Sequence, residues 1–117
     1  MQGTLLEVDR RTEDALEIVE VRGELDLTNA RELELRLDEV APADTRLVVD
    51  LNGVSFLDSA ALHVLFKLAR RRAPDRVAFV VDPSAHVAST LTVVGLARVA
   101  PLGPSLDAIE PPPAHAS

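Results

Sequence analysis

The chain contains no cysteine, tryptophan or tyrosine, and its three phenylalanines are its only aromatic residues. The absence of cysteine excludes disulfides, thiol catalysis and thiolate-bound metals. The scarcity of aromatic residues removes the side chains on which bases stack and the commonest anchors of protein interfaces. No apolar run approaches the roughly 18 residues of a membrane span, and no basic-flanked apolar leader opens the chain. We therefore expect a cytoplasmic protein without membrane insertion.

Basic residues are also few, since 12 lysines and arginines accompany 19 aspartates and glutamates, for a net charge of −7. A negative surface repels phosphate backbones, so we expect no direct binding of nucleic acid. The three histidines, His63, His86 and His115, lie far apart and lack the spacing of metal ligands. Glycine-rich phosphate-binding motifs are missing as well. We therefore predict no metal site and no cofactor.

The 117 residues suffice for one domain with one hydrophobic core. Hydrophobic residues form 47% of the chain and charged residues 26%, a balance typical of globular proteins. We place a single domain over residues 1–110. Residues 111–117 begin with three prolines, and we expect them to form a disordered tail.

Hydrophobic periodicity predicts a hairpin of two strands, followed by alternating strands and helices. The strands are expected at Leu5–Asp9, Ala15–Arg22, Arg46–Leu51, Val54–Leu57, Arg76–Val81 and Ala97–Ala100. Three helices are expected. The first follows Thr28 or Asn29, and Asn29 has the spacing of a capping box with Glu32. The second follows Asp58 or Ser59, and the third follows Ser84. This order predicts an α/β fold with a mixed β-sheet, in which βαβ alternation follows the N-terminal hairpin.

Five further expectations concern turns and packing. The chain is expected to turn at Asn52-Gly53, and the continuous apolar centre Leu47–Val49 suggests a strand that is covered on both faces. All three phenylalanines are expected in the core. Arg70–Arg72 are expected to be solvated at a helix end, where cations complement the helix dipole. The second helix is expected to bury one apolar face, formed by Leu62, Leu65, Phe66 and Ala69.

In open sheets of this kind, functional groups collect in the loops beyond the carboxyl ends of the strands. Asp50, Asp58 and Asp82 lie at or just after predicted strand ends, and such a cluster could bind Mg²⁺ in a phospho-accepting receiver domain. That fold also needs an acidic pair after its first strand and a lysine after its last, whereas this chain has only Asp9 and the mid-helix Lys67. We therefore interpret the three carboxylates as turn residues.

Ser59 and His63 lie four residues apart on one predicted helix and so share a face. No acidic residue is evident to orient His63, and the G-x-S-x-G elbow of hydrolases is missing. A serine hydrolase remains a minor hypothesis, and we predict that the protein is not an enzyme.

Ser59 stands at the first turn of an amphipathic helix. On local sequence alone, Asp58 or Ser59 is simply the N-cap, which contributes about 1 kcal/mol. A helix N-terminus also tolerates a phosphoryl group, because its free N–H groups carry partial positive charge. Phosphorylation would add about −1.5 to −2 charges and repel a partner docked on this loop.

Three segments together resemble a known family. They are GELDL at Gly23–Leu27, LVVDL at Leu47–Leu51, and VSFLDS at Val54–Ser59. In this combination and spacing they are similar to the STAS domain, and in particular to bacterial anti-sigma-factor antagonists. The order of elements matches over about residues 4–110.

The resemblance implies a partner-switching phosphoprotein that regulates transcription. Such an antagonist binds an anti-sigma factor with a histidine-kinase-like ATPase fold, which is a serine kinase, and so releases a sigma factor. The kinase phosphorylates the serine that corresponds to Ser59 and ends the complex, and a PP2C-like phosphatase restores the active form. The implied partner-binding residues are Glu24, Asp26, Asp58, Ser59, Ala60, Ala61 and His63.

The chain departs from the family pattern at one residue. The family usually has glycine two residues after the phosphorylated serine, where this chain has Ala61. This alanine motivates an alternative, a STAS subunit or scaffold that is not phosphorylated, as in lipid-transport ATPases. Because alanine is the better helix former, we expect the difference to affect recognition and not the fold.

Overall fold

The computed structural model describes residues 6–13, 16–40, 46–72 and 76–105. Within these residues, five strands form one sheet in the order of the sequence. The strands are β1 (Leu6–Glu13), β2 (Leu16–Leu25), β3 (Arg46–Leu57), β4 (Val77–Val80) and β5 (Leu102–Gly103). The helices are α1 (Ala30–Val40), α2 (Ser59–Arg71) and α3 (His86–Val94), and a short 3-10 helix covers Leu96–Arg98.

The sheet is mixed, as predicted. β1 and β2 form an antiparallel hairpin, whereas β2, β3, β4 and β5 pair in parallel through helical connections. β2 continues past its predicted end at Gly23, whose φ of 116° favours glycine. Because the parallel strands all end at the same edge of the sheet, the segments that follow β2, β3 and β4 lie together there.

The three helices pack on one face of the sheet. Their buried side chains form a single core with strand residues such as Val19, Val49 and Phe79. Successive residues of a strand point to opposite faces. The neighbouring residues therefore form a smaller buried cluster on the other face, made of Ile18, Val48, Ala78 and Val80. The prediction that the Leu47–Val49 centre is buried on both faces is confirmed.

β3 runs without interruption through Asn52-Gly53, so the predicted turn at this dipeptide is wrong. The pairing with β2 shifts register twice in this stretch, and β3 gains two residues over its partner. Bulges of this kind keep Leu51, Val54 and Leu57 in the core although they are three residues apart. A bulge and a turn interrupt the hydrophobic alternation in the same way, which is why the sequence pattern misled.

Gly53 lies in this bulged stretch beneath a long side chain. A Cβ atom at Gly53 would lie 2.3 Å from Cγ of Arg22, so only glycine leaves room for the arginine. Arg22 in turn binds the carboxylates of Glu7, Asp9 and Glu20 on the hairpin. Glycine at this position therefore allows Arg22 to lie over β3 while its guanidinium joins β1 to β2.

α2 is rotated relative to the predicted orientation. Its buried residues are Ala61, Val64, Leu65, Leu68 and Ala69. Leu62 and Phe66 are only half-buried, at the margin of the core. The expectation that all three phenylalanines are in the core is also wrong, because Phe79 is fully buried whereas Phe56 is 46% exposed.

Two ion pairs join α1 to α2 at the surface. Lys67 Nζ lies 2.7 Å from Glu34 Oε2, and Arg71 Nη1 lies 2.9 Å from Asp38 Oδ1. The hydrogen bond from Lys67 lowers the pKa of Glu34 below its usual value. The expectation of a solvated arginine run is therefore wrong in part, since Arg71 is paired and Arg72 is buried.

The C-terminal part of the sheet differs from prediction in two places. Ser84 does not cap α3, whose N-cap is Ala85, but donates its N–H and hydroxyl to Asp82 Oδ1, each at 2.9 Å. Ala97–Ala100 is not a strand, because the 3-10 helix and a bend occupy it and β5 follows. The end of α3 at Gly95 is as predicted, with a left-handed φ of 84°.

Two predictions concern residues outside the described ranges, namely the end of the domain at residue 110 and the tail at residues 111–117.

Candidate functional site

The candidate site lies where β2 and β3 end and where α1 and α2 begin. Leu25 pairs with Leu57, so the two strands end side by side. The N–H of Asp58 then donates to the carbonyl oxygen of Leu25 at 3.1 Å. This contact holds the loop after β2 against the first turn of α2.

Asp58 connects the two segments through both of its carboxylate oxygens. Oδ1 accepts a hydrogen bond from the N–H of Ala61 at 3.1 Å and so caps α2. Oδ2 accepts a hydrogen bond from the N–H of Leu27 in the facing loop, also at 3.1 Å. Each bond satisfies a backbone donor that lacks a partner in a helix or sheet. Of the two candidate caps, Asp58 and Ser59, the cap is therefore Asp58.

Asn29 orders the loop after β2 from inside. Its side chain is buried, and Nδ2 donates to the carbonyl oxygen of Glu24 at 2.9 Å while Oδ1 accepts from the N–H of Asp26 at 3.0 Å. Asp26 Oδ1 then accepts hydrogen bonds from the N–H and the hydroxyl of Thr28. The predicted capping box with Glu32 is wrong, because the Asn29 side chain binds the loop instead of the helix.

Ser59 is the first residue of α2, and its side chain is exposed. Because Asp58 caps the helix, the Ser59 hydroxyl is not needed for that bond. His63 follows one turn later on α2 and is also exposed. The acidic residues Glu24, Asp26 and Asp58 surround this part of the sheet edge, so the site is negatively charged.

Comparison with protein families decides the class of the chain. Residues 7–109 match the model of the STAS domain. The chain belongs to the STAS family. Curated protein sequences include no match to it.

Solved structures share the fold of this STAS domain. An anti-sigma factor antagonist from Mycobacterium paratuberculosis is 28% identical with a TM-score of 0.75, and the match covers 90% of this chain and 89% of that one. The anti-sigma factor antagonist SpoIIAA in its unphosphorylated form is 14% identical with a TM-score of 0.56, over 85% and 86% of the two chains. The murine solute carrier 26 family member A9 anion transporter is 17% identical with a TM-score of 0.65, over 91% of this chain and 21% of the transporter. At these lower identities, the last two matches show the fold alone.

The structure distributes the predicted site residues of this STAS domain over three levels of burial. Glu24, Ser59 and His63 are exposed, Asp26, Asp58 and Ala60 are half-buried, and Ala61 is completely buried. The Ala61 methyl group lies in the main core, and its N–H binds Asp58. The residue that replaces the usual glycine of the family therefore adds a methyl group to the core and not to the surface. This position argues against the expected effect on recognition and for an effect on stability.

Two apolar residues at this edge were not predicted as site residues. Leu27 is 77% exposed, and its backbone is held by Asp58; Phe56 is 46% exposed and pairs with Glu24 across β2 and β3. Burial of such exposed apolar side chains by a partner would favour association. The sequence signal that could have identified Leu27 is a leucine within an acidic loop. The exposure of Phe56 could not be identified in this way, because it depends on the bulges of β3.

The interpretation of the three carboxylates as turn residues holds for Asp82, whose pKa is lowered by hydrogen bonds from the N–H and hydroxyl of Ser84. It is wrong for Asp50, which lies within β3 and accepts a hydrogen bond at Oδ1 from the N–H of Asn52 at 2.9 Å, and for Asp58, which caps α2. In the part of the chain that the structure describes, no three histidine, aspartate or glutamate side chains are grouped to hold a metal ion. None of the described helices is long and apolar enough to cross a membrane.

Proposed function

We propose that this STAS domain is an anti-sigma-factor antagonist that acts in the cytoplasm. It binds an anti-sigma factor that is also a serine kinase, releases a sigma factor, and is switched off when Ser59 is phosphorylated. The observation that carries the proposal is the exposed hydroxyl of Ser59 beside a separate cap, Asp58. Ser59 can be modified without breaking the bond that caps α2. The similarity to the Mycobacterium paratuberculosis antagonist supports the class of function.

The partner docks on a surface that we call the loop surface, formed by Glu24, Asp26, Leu27, Phe56 and Ser59. Its two exposed apolar side chains supply the contacts that become buried, and its carboxylates form the rim. Protein interfaces commonly combine an apolar centre with a polar rim in this way. The kinase is therefore expected to offer an apolar patch surrounded by basic residues.

Phosphorylation acts on this docked surface by charge. The phosphoryl group adds about −1.5 to −2 charges beside the existing carboxylates. Like charges at an interface cost several kcal/mol, and about 4 kcal/mol changes an affinity roughly a thousandfold. The free N–H groups and the positive end of the α2 dipole stabilise the phosphate on the folded chain. The partner is released while the fold is kept, and a PP2C-like phosphatase reverses the change.

The experiment is phosphorylation by a kinase-type anti-sigma factor captured from the native cytosol. With ATP, the intact mass should rise by one phosphoryl group, and Ser59→Ala should abolish the rise. Ser55→Ala is a matched control, because Ser55 is an exposed serine four residues earlier on β3 and should leave the rise unchanged. A mass increase that survives in Ser59→Ala would remove Ser59 from the mechanism.

A second candidate is a STAS subunit or scaffold whose serine is never modified, as in a lipid-transport ATPase. The observation that favours it is the occurrence of the same fold within the murine anion transporter. A pull-down with and without ATP separates the two candidates. Capture of a soluble kinase that is lost with ATP supports the antagonist, whereas capture of a transporter ATPase regardless of ATP supports the scaffold.

A serine hydrolase based on Ser59 and His63 is not favoured. The carboxylate next to Ser59, Asp58, already binds the N–H groups of Leu27 and Ala61. It is therefore held by the backbone and does not orient His63. Labelling of Ser59 by a fluorophosphonate probe would contradict this view.

A further inference from the structure

The surface formed by α3 and β5 differs in charge from the rest of the molecule. Between Val77 and Ala97 the only charged residue is Asp82, although charged residues form 26% of the chain. α3 exposes Ser89, Thr92 and Val93, and the Val93 side chain is 84% exposed. We call the exposed side of α3 together with β5 the α3 face.

A groove of about 410 Å³ lies on the α3 face. Ser89, Thr92 and Val93 line it on the helix side, and Leu102 and Gly103 line it on the strand side. Among the described residues, those that line the groove are all uncharged, and β5 is the last strand of the described sheet. An exposed valine therefore stands directly beside an apolar groove of a size that can receive an aliphatic side chain.

The net charge indicates which partner suits this face. Each copy of the chain carries −7, so two copies repel each other over their acidic surfaces. The repulsion is weakest where the surface has no charge, and the same area gains from the burial of apolar groups. A positively charged partner would gain more at the acidic surfaces of the molecule. The uncharged face therefore favours a second copy of this chain.

The charges at the two ends of α3 fit a symmetric arrangement. Asp82 precedes the helix and Arg98 follows it, and both side chains are exposed. When two copies of α3 pack antiparallel about a twofold axis, Asp82 of each copy comes to the end of the interface where the other copy has Arg98. The two helix dipoles are then opposed as well, which is the favourable direction.

We propose that the α3 face joins two copies of this chain in a symmetric dimer, in which Val93 of each copy enters the α3–β5 groove of the other. Because the valine and the groove are neighbours, one twofold axis between them serves both contacts. This interface does not use Ser59 or the loop surface, so it is independent of the proposed function.

The test is the molar mass in solution, measured by sedimentation equilibrium from micromolar to millimolar concentration. The wild-type chain should change from 12.6 kDa towards twice that mass. Val93→Lys and Val93→Glu should both stay at the monomer mass, because either charge would be buried without a partner. Val93 is almost fully exposed in the monomer, so far-ultraviolet circular dichroism should show an unchanged fold.

Leu35→Lys and Leu35→Glu are the matched controls, since Leu35 is an exposed apolar residue on α1 and the changes in charge are the same. Both should dimerise like the wild type. A wild-type chain that stays monomeric throughout the range would overturn the proposal, and so would a Val93→Lys variant that associates as strongly as the wild type.

The absence of cysteine allows a test of the antiparallel arrangement. In an antiparallel pair, Ser89 of one copy lies closest to Val93 of the other. On oxidation, a mixture of Ser89→Cys and Val93→Cys should therefore give the mixed disulfide in excess over either disulfide between identical variants. Arg98→Glu should weaken the association several-fold through repulsion by Asp82 of the other copy. An excess of disulfides between identical variants would overturn the arrangement.

Discussion

Asp58 shows how one side chain can hold a site together and leave its neighbour free for chemistry. One carboxylate oxygen caps α2, and the other holds the backbone of Leu27. Ser59 then has an exposed side chain at a fixed backbone position. The division of roles between two adjacent residues is the reason why a modification at Ser59 is compatible with the fold.

We expect Asp58→Ala to lower the free energy of unfolding by about 1–2 kcal/mol, since it removes the N-cap and the bond to the loop. The loss of stability in Asp58→Asn should lie between zero and the loss in Asp58→Ala, because an amide keeps one acceptor oxygen whereas the carboxylate uses two. Urea denaturation measures both changes. Ser59→Ala is the control and should change stability by less than about 0.5 kcal/mol, as is usual at exposed sites. Equal losses in Ser59→Ala and Asp58→Ala would contradict the division of roles.

Ala61→Gly restores the usual glycine of the family, and we expect it to destabilise the chain by about 1–2 kcal/mol. The loss combines the lower helix propensity of glycine with the removal of a buried methyl group. Phosphorylation of Ser59 should keep its rate, because the methyl group lies in the core and not on the loop surface. Ala60→Gly at the half-buried neighbour should cost less stability. A large change in phosphorylation rate in Ala61→Gly would show that the kinase senses this position.

At the scale of elements, the sequence predicts what is local along the chain. Helix α1 and the hairpin follow from hydrophobic periodicity, and the start of α2 follows from its cap, which are all signals within a few residues of each other. The path of β3 and the exposure of Phe56 could not be predicted, because they depend on the pairing with β2. The same holds for the bond between Asp58 and Leu27, which joins residues 31 positions apart.

The bulged stretch of β3 depends on Gly53, and we expect Gly53→Ala to lower stability by about 1–3 kcal/mol through overpacking. The added methyl group would meet Arg22 Cγ at 2.3 Å. In the Arg22→Ala background the same substitution should cost clearly less, since the Cγ and Cδ contacts are gone and only the Cβ contact at 3.1 Å remains. A double-mutant cycle by urea denaturation measures this coupling. Strictly additive effects would show that Arg22 and Gly53 do not interact.

The Glu34–Lys67 pair should make the packing of α1 on α2 sensitive to acid. Its hydrogen bond lowers the pKa of Glu34 in the folded chain, so the pair contributes stability above the pKa of unfolded glutamate. The contribution is lost as the pH falls through the lowered pKa. The difference in stability between the wild type and Glu34→Gln should therefore shrink on acidification below about pH 4. Lys67→Gln should remove most of this pH dependence, and a constant difference at all pH values would contradict the role of the pair.

At the scale of the whole molecule, charge is distributed unevenly along the chain and over the sheet. Residues 1–58 carry fifteen acidic and six basic side chains, whereas residues 59–117 carry four and six. The hairpin and α1 belong to the acidic part, and the uncharged α3 face lies at the other edge of the sheet. The proposed partner surface and the proposed self-association surface therefore lie in parts of the molecule that differ in charge.

This distribution leads to a prediction that separates the effect of charge at the loop surface from the effect of the net charge of the molecule. Ser59→Glu adds one negative charge at the loop surface and should weaken binding of the kinase by up to about a thousandfold, the limit set by about 4 kcal/mol of repulsion. Unfolding should change by less than about 0.5 kcal/mol, since acids are favourable at a helix N-terminus. Leu35→Glu adds the same charge to the molecule on α1, outside the loop surface, and should bind like the wild type. Calorimetric titration measures both affinities, and added salt should restore part of the Ser59→Glu loss because it screens exposed charges. If Ser59→Glu binds the kinase as tightly as the wild type does, charge at this serine is not the switch.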